Sequence, residues 1–258
     1  MSIDEVDVKI GDGLNFIRLV RPEKKNALSA AMYRAISEAL EAGERDGGIA
    51  VHVLLGSPGV FSAGNDLGEF LAQEGGAGLG LDDVLRFVRL LPMLKKPIVA
   101  GVDGLAIGVG TTVLFHCDLV YATERSVFST PFVDLGLVPE AGSSLLVPAR
   151  LGYARAFELL VLGEPFSAER MLSAGLINAI VNESSIDETT LSSARRLAAK
   201  PAAAVAASRS LLRGDLVALG ERIEVEVRVF NERLSSREAQ TAFSAFLEKP
   251  AADGGVAN

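Results

Sequence analysis

Two stretches of small residues hold the chemistry most readily seen in this chain. The first, Phe61-Ser62-Ala63-Gly64-Asn65-Asp66-Leu67, follows the turn Gly56-Ser57-Pro58-Gly59. The second, Gly104-Leu105-Ala106-Ile107-Gly108-Val109-Gly110-Thr111, runs into an apolar helical pattern. Loops of this composition serve tight turns and close backbone approach. They can also aim two backbone N–H groups at one point, one of them at a helix start whose dipole favours negative charge. That second use is the layout of an oxyanion hole. Side-chain machinery is sparse by comparison, with 1 Cys and 2 His among 258 residues. One thiol forms no internal disulfide, and a zinc site of the usual Cys/His ligand count cannot be assembled. His52 lies in an apolar strand pattern and His116 at a helix end, so both read as structural. There is no GxSxG elbow and no GxxxxGK[ST] loop, and Gly108-Val109-Gly110 lacks the third glycine of a dinucleotide fingerprint. Ser143-Ser144 sits in a small-residue turn with no histidine in an evident catalytic context.

The elements that must position these loops follow from hydrophobic periodicity. Residues 6–10 and 14–20 are β-rich runs around Gly11-Asp12-Gly13, a hairpin pattern. Ser29 suits the N-cap of a helix to about Arg45, with Met32, Ala35, Ile36, Ala39 and Leu40 on one face. Residues 51–55, 98–102 and 118–122 read as buried strands, residues 127–128 as a shorter one, and residues 109–116 as an apolar helix. Beyond Leu145 helical patterns dominate, ending in one long helix over 220–246 with Ile223, Val227, Phe230 and Leu234 on a stripe. That stripe suits either core packing or a partner subunit. The expectation is an α/β core over residues 1–195, with loops gathered at one end, followed by a helical region over 196–258. A net charge of -8 offers no global basic field for nucleic acid or anionic lipid. The most membrane-like window, residues 98–117, holds Asp103 and four glycines and reads as strand, turn and helix. With no basic, apolar leader at its start, the chain is expected to be soluble and cytoplasmic.

The loops stand in order with further segments: Asn26-Ala27-Leu28, Lys96-Pro97-Ile98-Val99-Ala100-Gly101-Val102-Asp103-Gly104, Cys117-Asp118-Leu119-Val120-Tyr121-Ala122 and Ala174-Gly175-Leu176-Ile177. Together they resemble the enoyl-CoA hydratase/isomerase (crotonase) superfamily over nearly the whole chain. The resemblance implies a spiral of ββα units and a C-terminal helical region used in assembly as a homotrimer or a dimer of trimers. It implies an acyl-CoA substrate whose thioester carbonyl is held by the N–H groups of Ala63 and Val109. CoA would lie along Ala63, Gly64, Asn65, Asp66 and Leu67, with Ala27 and Phe132 also in contact and Lys24 and Lys25 as candidates to meet its phosphates. No cofactor beyond the CoA of the substrate, and no metal, is expected.

Hydratases of this family use two glutamates, and here the matching positions hold Thr112 and Phe132. Adding water suits a pair of carboxylates, and neither residue can serve as one. A carboxylate does occur in Leu135-Gly136-Leu137-Val138-Pro139-Glu140-Ala141-Gly142-Ser143-Ser144. With Thr130-Pro131-Phe132 before it, this run is similar to the peroxisomal-type Δ3,Δ2-enoyl-CoA isomerases, whose Pro-Glu glutamate is the base; Glu140 inherits that role. Leu135, Leu137 and Val138 suggest an apolar setting that raises its pKa. Asp134 is a competing carboxylate that the pattern does not single out. The expected activity is a proton shift, with 2-enoyl-CoA hydration or a non-catalytic acyl-CoA-binding module as alternatives. Residues 74–80 and a helix over 81–91 are expected to shape the acyl pocket.

Overall fold

Turn chemistry and capping start the chain as the sequence predicts. The structure, a computed structural model, describes residues 4–68 and 79–248. β1 (Val6–Gly11) and β2 (Leu14–Leu19) pair antiparallel across Asp12 and Gly13, both at positive φ. α1 (Ala30–Arg45) begins where the Ser29 hydroxyl accepts the Met32 N–H at 3.2 Å. Its buried face carries Met32, Tyr33, Ile36 and Leu40.

A repeating unit follows. β3 (Val51–Leu55) and β4 (Val60–Ser62) precede α2 (Leu79–Leu90); β5 (Ile98–Val102) and β6 (Leu105–Ile107) precede α3 (Val109–Thr112); β7 (Leu119–Thr123) and β8 (Val127–Ser129) come next. The first strand of each unit joins a six-stranded sheet, β1-β2-β3-β5-β7-β10, whose last strand is β10 (Ala179–Val181). The second strand joins a smaller sheet, β4-β6-β8-β9, closed by β9 (Phe166–Ser167). This is the expected spiral of ββα units. β3 shows why its run is continuously apolar: Val51, Val53 and Leu55 face one apolar cluster and Leu54 the other.

Helices then cover the sheets. α4 (Ser143–Leu151), α5 (Tyr153–Leu160) and α6 (Ala168–Ala174) flank the smaller sheet's last strand, and α7 (Ile186–Ala198) packs on the larger sheet with Ala194 buried against β3 and β5. The expected division after residue 195 falls inside α7, so the C-terminal helices begin with α8 (Ala202–Leu212). α9 (Leu216–Leu234) sends Leu219, Ile223 and Phe230 into the main core. The single helix expected over 220–246 is instead α9 and α10 (Arg237–Glu248). The break has a local cause, since the Ser236 hydroxyl accepts the Ala239 N–H and starts a new helix. Residues 109–116 likewise divide into α3 and a 3-10 turn, Val113–His116. Among the described residues, no helix is long and apolar enough to cross a membrane.

Candidate active site

β4, β6 and β8 are parallel neighbours, so their C-terminal exits lie side by side. The exits are the 63–67 loop, the start of α3 and the 130–142 segment. Backbone approach between the first two is too close for side chains. A Cβ on Gly64 would lie 2.9 Å from the Ile107 carbonyl oxygen, and one on Gly110 would lie 2.8 Å from that of Ser62. A fourth segment braces the group. Asn26, fully buried, donates from Nδ2 to the carbonyls of Val60 (3.0 Å) and Phe61 (3.1 Å), and the Ser62 hydroxyl donates to the Asn26 carbonyl (2.9 Å). Lys25 and Asn26 take left-handed backbone to make this possible, at φ 51° and 52°.

The same brace decides which N–H groups remain open. Ala63, the expected oxyanion donor, gives its N–H to the Lys25 carbonyl at 2.9 Å. Gly64 donates to the Ser62 hydroxyl at 3.1 Å, and Asp66 donates to the Leu28 carbonyl at 3.0 Å. Asn65, paired with Leu28 in a parallel bridge, turns its N–H away from that partner. The expectation for Ala63 is therefore corrected: its donor is occupied, while the Asn65 N–H meets no acceptor among the described residues. The N–H of Val109, the first residue of α3, likewise meets no acceptor among the described residues, as at a helix start.

Glu140 is the acid next to these loops. Its carboxylate accepts a hydrogen bond from the Thr112 hydroxyl, three residues beyond Val109. Although the residue as a whole keeps some exposure, burial of the carboxyl pushes its pKa up to about 7; the Thr112 hydrogen bond pulls down and the charge of Glu226 pushes up. Tyr33 of α1 reaches the same region, donating to the Asn65 side-chain oxygen. Burial raises the Tyr33 pKa and the charge of Glu140 adds to it.

Behind Glu140 the backbone is held tightly. Ala141 and Gly142 are both at positive φ, 57° and 73°. The Ala141 carbonyl accepts from His116 Nε2 at 2.7 Å, and the Gly142 and Ser144 N–H groups donate to the Glu226 carboxylate at 2.6 and 2.9 Å. Burial lowers the His116 pKa to about 4, so a neutral ring donates here. His52 is structural as expected, buried between Asn15 (2.9 Å) and Glu44 (3.1 Å). Asp134 is exposed and lies beside Gly163.

The remaining expected residues divide between rim and frame. Lys24 and Lys25 are exposed in the turn that braces the 63–67 loop, and Ala27 is half-buried beside them. Asp66 pairs with Arg21 at 2.9 Å and accepts the Gly68 N–H, so it stabilises the loop itself. Leu67 packs on the edge of the main core, and Phe132 is buried within it. Of the expected acyl-pocket segment, residues 74–78 lie outside the described residues, whereas the helix is present as α2.

Comparison with known proteins settles what this arrangement belongs to. The family model described as enoyl-CoA hydratase/isomerase matches residues 9–253. The chain belongs to the enoyl-CoA hydratase/isomerase family. Enoyl-CoA delta isomerase 2 of Rattus norvegicus is 33% identical over 92% of this chain, which spans 62% of the rat protein's length. A probable enoyl-CoA hydratase of Rhodobacter capsulatus is 32% identical over 96% of this chain and 97% of its own. The crystal structure of an enoyl-CoA hydratase/isomerase from Pseudoalteromonas atlantica superposes with a TM-score of 0.89 at 35% identity, covering 96% of this chain and 98% of the other. As a member of this family the chain is an acyl-CoA-processing enzyme, and its relatives carry both isomerase and hydratase names.

Four parts of the site escaped the sequence reading: the Asn65 donor, Tyr33, the His116 contact with Ala141, and Glu226. One trace of Glu226 was present. It stands seven residues after Leu219 and three after Ile223, on the core-facing stripe of α9 where an apolar residue is expected.

Proposed function

We propose that the chain is a Δ3,Δ2-enoyl-CoA isomerase that moves a proton from C2 to C4 of a 3-enoyl-CoA. The observation that carries this reading is the Glu140 carboxyl, bonded to Thr112 beside two backbone N–H groups that meet no acceptor among the described residues. By the resemblance in sequence, Thr112 and Phe132 stand where two-acid relatives place glutamates, and the Glu226 carboxylate is engaged by the Gly142 and Ser144 N–H groups. A lone base cannot both activate water and supply a separate proton, but it can carry one proton between two carbons.

The thioester oxygen accepts the N–H groups of Asn65 and Val109. Ionised Glu140 removes a C2 proton, and the C–H electron pair becomes conjugated with the carbonyl and the C3=C4 bond. The dienolate charge sits on the oxygen, where each donor stabilises the transition state by about 3 kcal/mol. Protonated Glu140 then delivers the proton to C4, leaving the double bond between C2 and C3. Nothing is added or lost. A carboxyl with a pKa of about 7 suits both halves of this cycle. Lys24 and Lys25 meet the CoA phosphates, Ala27 and the 63–67 loop line the CoA path, and Phe132 helps enclose the reacting carbons. The working enzyme is a homotrimer or a dimer of trimers.

Purified protein assayed with 3-enoyl-CoA and 2-enoyl-CoA, alongside Glu140→Gln, tests the reading. The wild type should shift the double bond of the 3-enoyl substrate, and Glu140→Gln should lose about 10³-fold in kcat. Rapid hydration of the 2-enoyl substrate without a double-bond shift would replace the isomerase by a hydratase. CoA binding with no turnover of either substrate would leave a binding module.

A further inference from the structure

We propose that Glu226 of α9 is a positioning residue for the base, fixing the turn that presents Glu140 to the substrate; this rests on the isomerase reading above. The geometry is specific. Glu226 is only 5% exposed, and its two carboxylate oxygens accept the Gly142 N–H at 2.6 Å and the Ser144 N–H at 2.9 Å. Those donors open α4, which starts three residues after the base. Between base and cap lie Ala141 and Gly142, both in left-handed backbone, a conformation a free alanine rarely adopts. The contact spans 84 residues of chain and joins the last quarter of the sequence to the catalytic segment. From the other side His116 holds the Ala141 carbonyl at 2.7 Å. Glu140 is thereby fixed at its side chain by Thr112 and at the backbone just beyond it by Glu226 and His116.

Position and charge act together. The groups facing Glu140 are the Thr112 hydroxyl from α3, Tyr33 from α1 and the Glu226 carboxylate from α9. Glu226 itself is faced by the Ser144 hydroxyl and the Arg222 cation, and His116 by Arg150, Arg209 and Arg213. An ionised Glu226 near Glu140 makes Glu140 a stronger base. Removing that charge should therefore weaken the base as well as loosen the turn. A residue that only capped α4 would change stability and leave the titration of Glu140 untouched.

Two variants separate these roles, with kcat, KM, the pH profile of kcat/KM and the melting temperature measured for each. Glu226→Gln keeps the shape, loses the charge, and offers an N–H₂ where an acceptor is needed. It should lower kcat about 10- to 100-fold with KM within about twofold, and move the acidic limb of the profile to lower pH. Glu226→Asp keeps the charge on a shorter arm, and should lower kcat while leaving the limb in place. A folded Glu226→Gln enzyme with wild-type kcat, or with an unmoved limb, overturns the proposal. If Glu226→Gln does not fold, Glu226→Asp decides, and an unchanged kcat overturns the proposal. Glu140→Gln run in parallel keeps the two readings apart. Activity in Glu140→Gln removes the base assignment itself, whereas an inactive Glu140→Gln beside a wild-type-like Glu226→Gln removes only the positioning role.

Discussion

Thr112 and Glu226 pull the base in opposite directions. The Thr112 hydroxyl donates to the carboxylate and favours its ionised form, against burial and the charge of Glu226. Thr112→Val removes the donor at nearly constant volume. The Glu140 pKa then rises further, so the acidic limb of kcat/KM should move to higher pH, opposite to Glu226→Gln. At pH 7 the loss should be about tenfold, because less of the base is ionised there. A limb that stays in place would show that the hydroxyl does not reach the working carboxylate. At this scale the sequence was informative about identity and weak about direction. Glu140, Thr112 and Val109 were readable as residue types at set positions in a family pattern. That Asn65 rather than Ala63 keeps an open N–H depends on the bridge to Leu28, a pairing between segments far apart in the chain. Along an extended loop, successive N–H groups point to alternate sides, so the partner strand decides which ones stay free.

Among the elements, the small parallel sheet does the assembling, since three short strands deliver three loops to one edge. Its precision rests on backbone-to-backbone contact between the exits of β4 and β6, which Gly64 and Gly110 permit. Gly110→Ala is the sharper test, because Gly110 has ordinary helical backbone and the clash with the Ser62 carbonyl is purely steric. The methyl group must push α3 away from the 63–67 loop and change the spacing of the Asn65 and Val109 donors. We expect a stability loss of about 1–3 kcal/mol by denaturant titration. The loss in kcat should be larger, about 100-fold, since small misplacements of a reacting centre are costly. Equal and small effects on both would mean that the two exits adjust independently. β4, β6, β9 and β10 escaped the sequence reading because strands of 2 or 3 residues are too short to show alternation, and the equally short β8 was legible only as the apolar pair Val127-Phe128. The longer strands β2, β3, β5 and β7 were legible from their apolar runs, and α1 from its cap and stripe.

For the whole molecule, the proposed assembly can be tested at apolar residues left on the outside. Tyr153 (75% exposed), Leu211 (86%) and Leu212 (87%) face outward on α5 and α8, with Val217 at the start of α9. A subunit contact of the proposed trimer would cover side chains this exposed. Sedimentation should report a trimer or a multiple of it, and a Leu211→Glu/Leu212→Glu variant should run as a smaller species. A monodisperse wild-type monomer would remove the assembly proposal. Another feature of the molecule bears on how such a particle is made. The carboxylate that closes the turn after Glu140 belongs to α9, and the last strand of the larger sheet ends at Val181, well before it. On the ribosome, every described strand and both small-residue loops are synthesised before Glu226 leaves the exit tunnel. Until then the turn after Glu140 lacks the carboxylate that accepts its Gly142 and Ser144 N–H groups. A chain cut short before α9 would lose the carboxylate that anchors this turn together with Leu219, Ile223 and Phe230 of the main core, so the anchor of the turn and the closure of the core arrive in one step of synthesis.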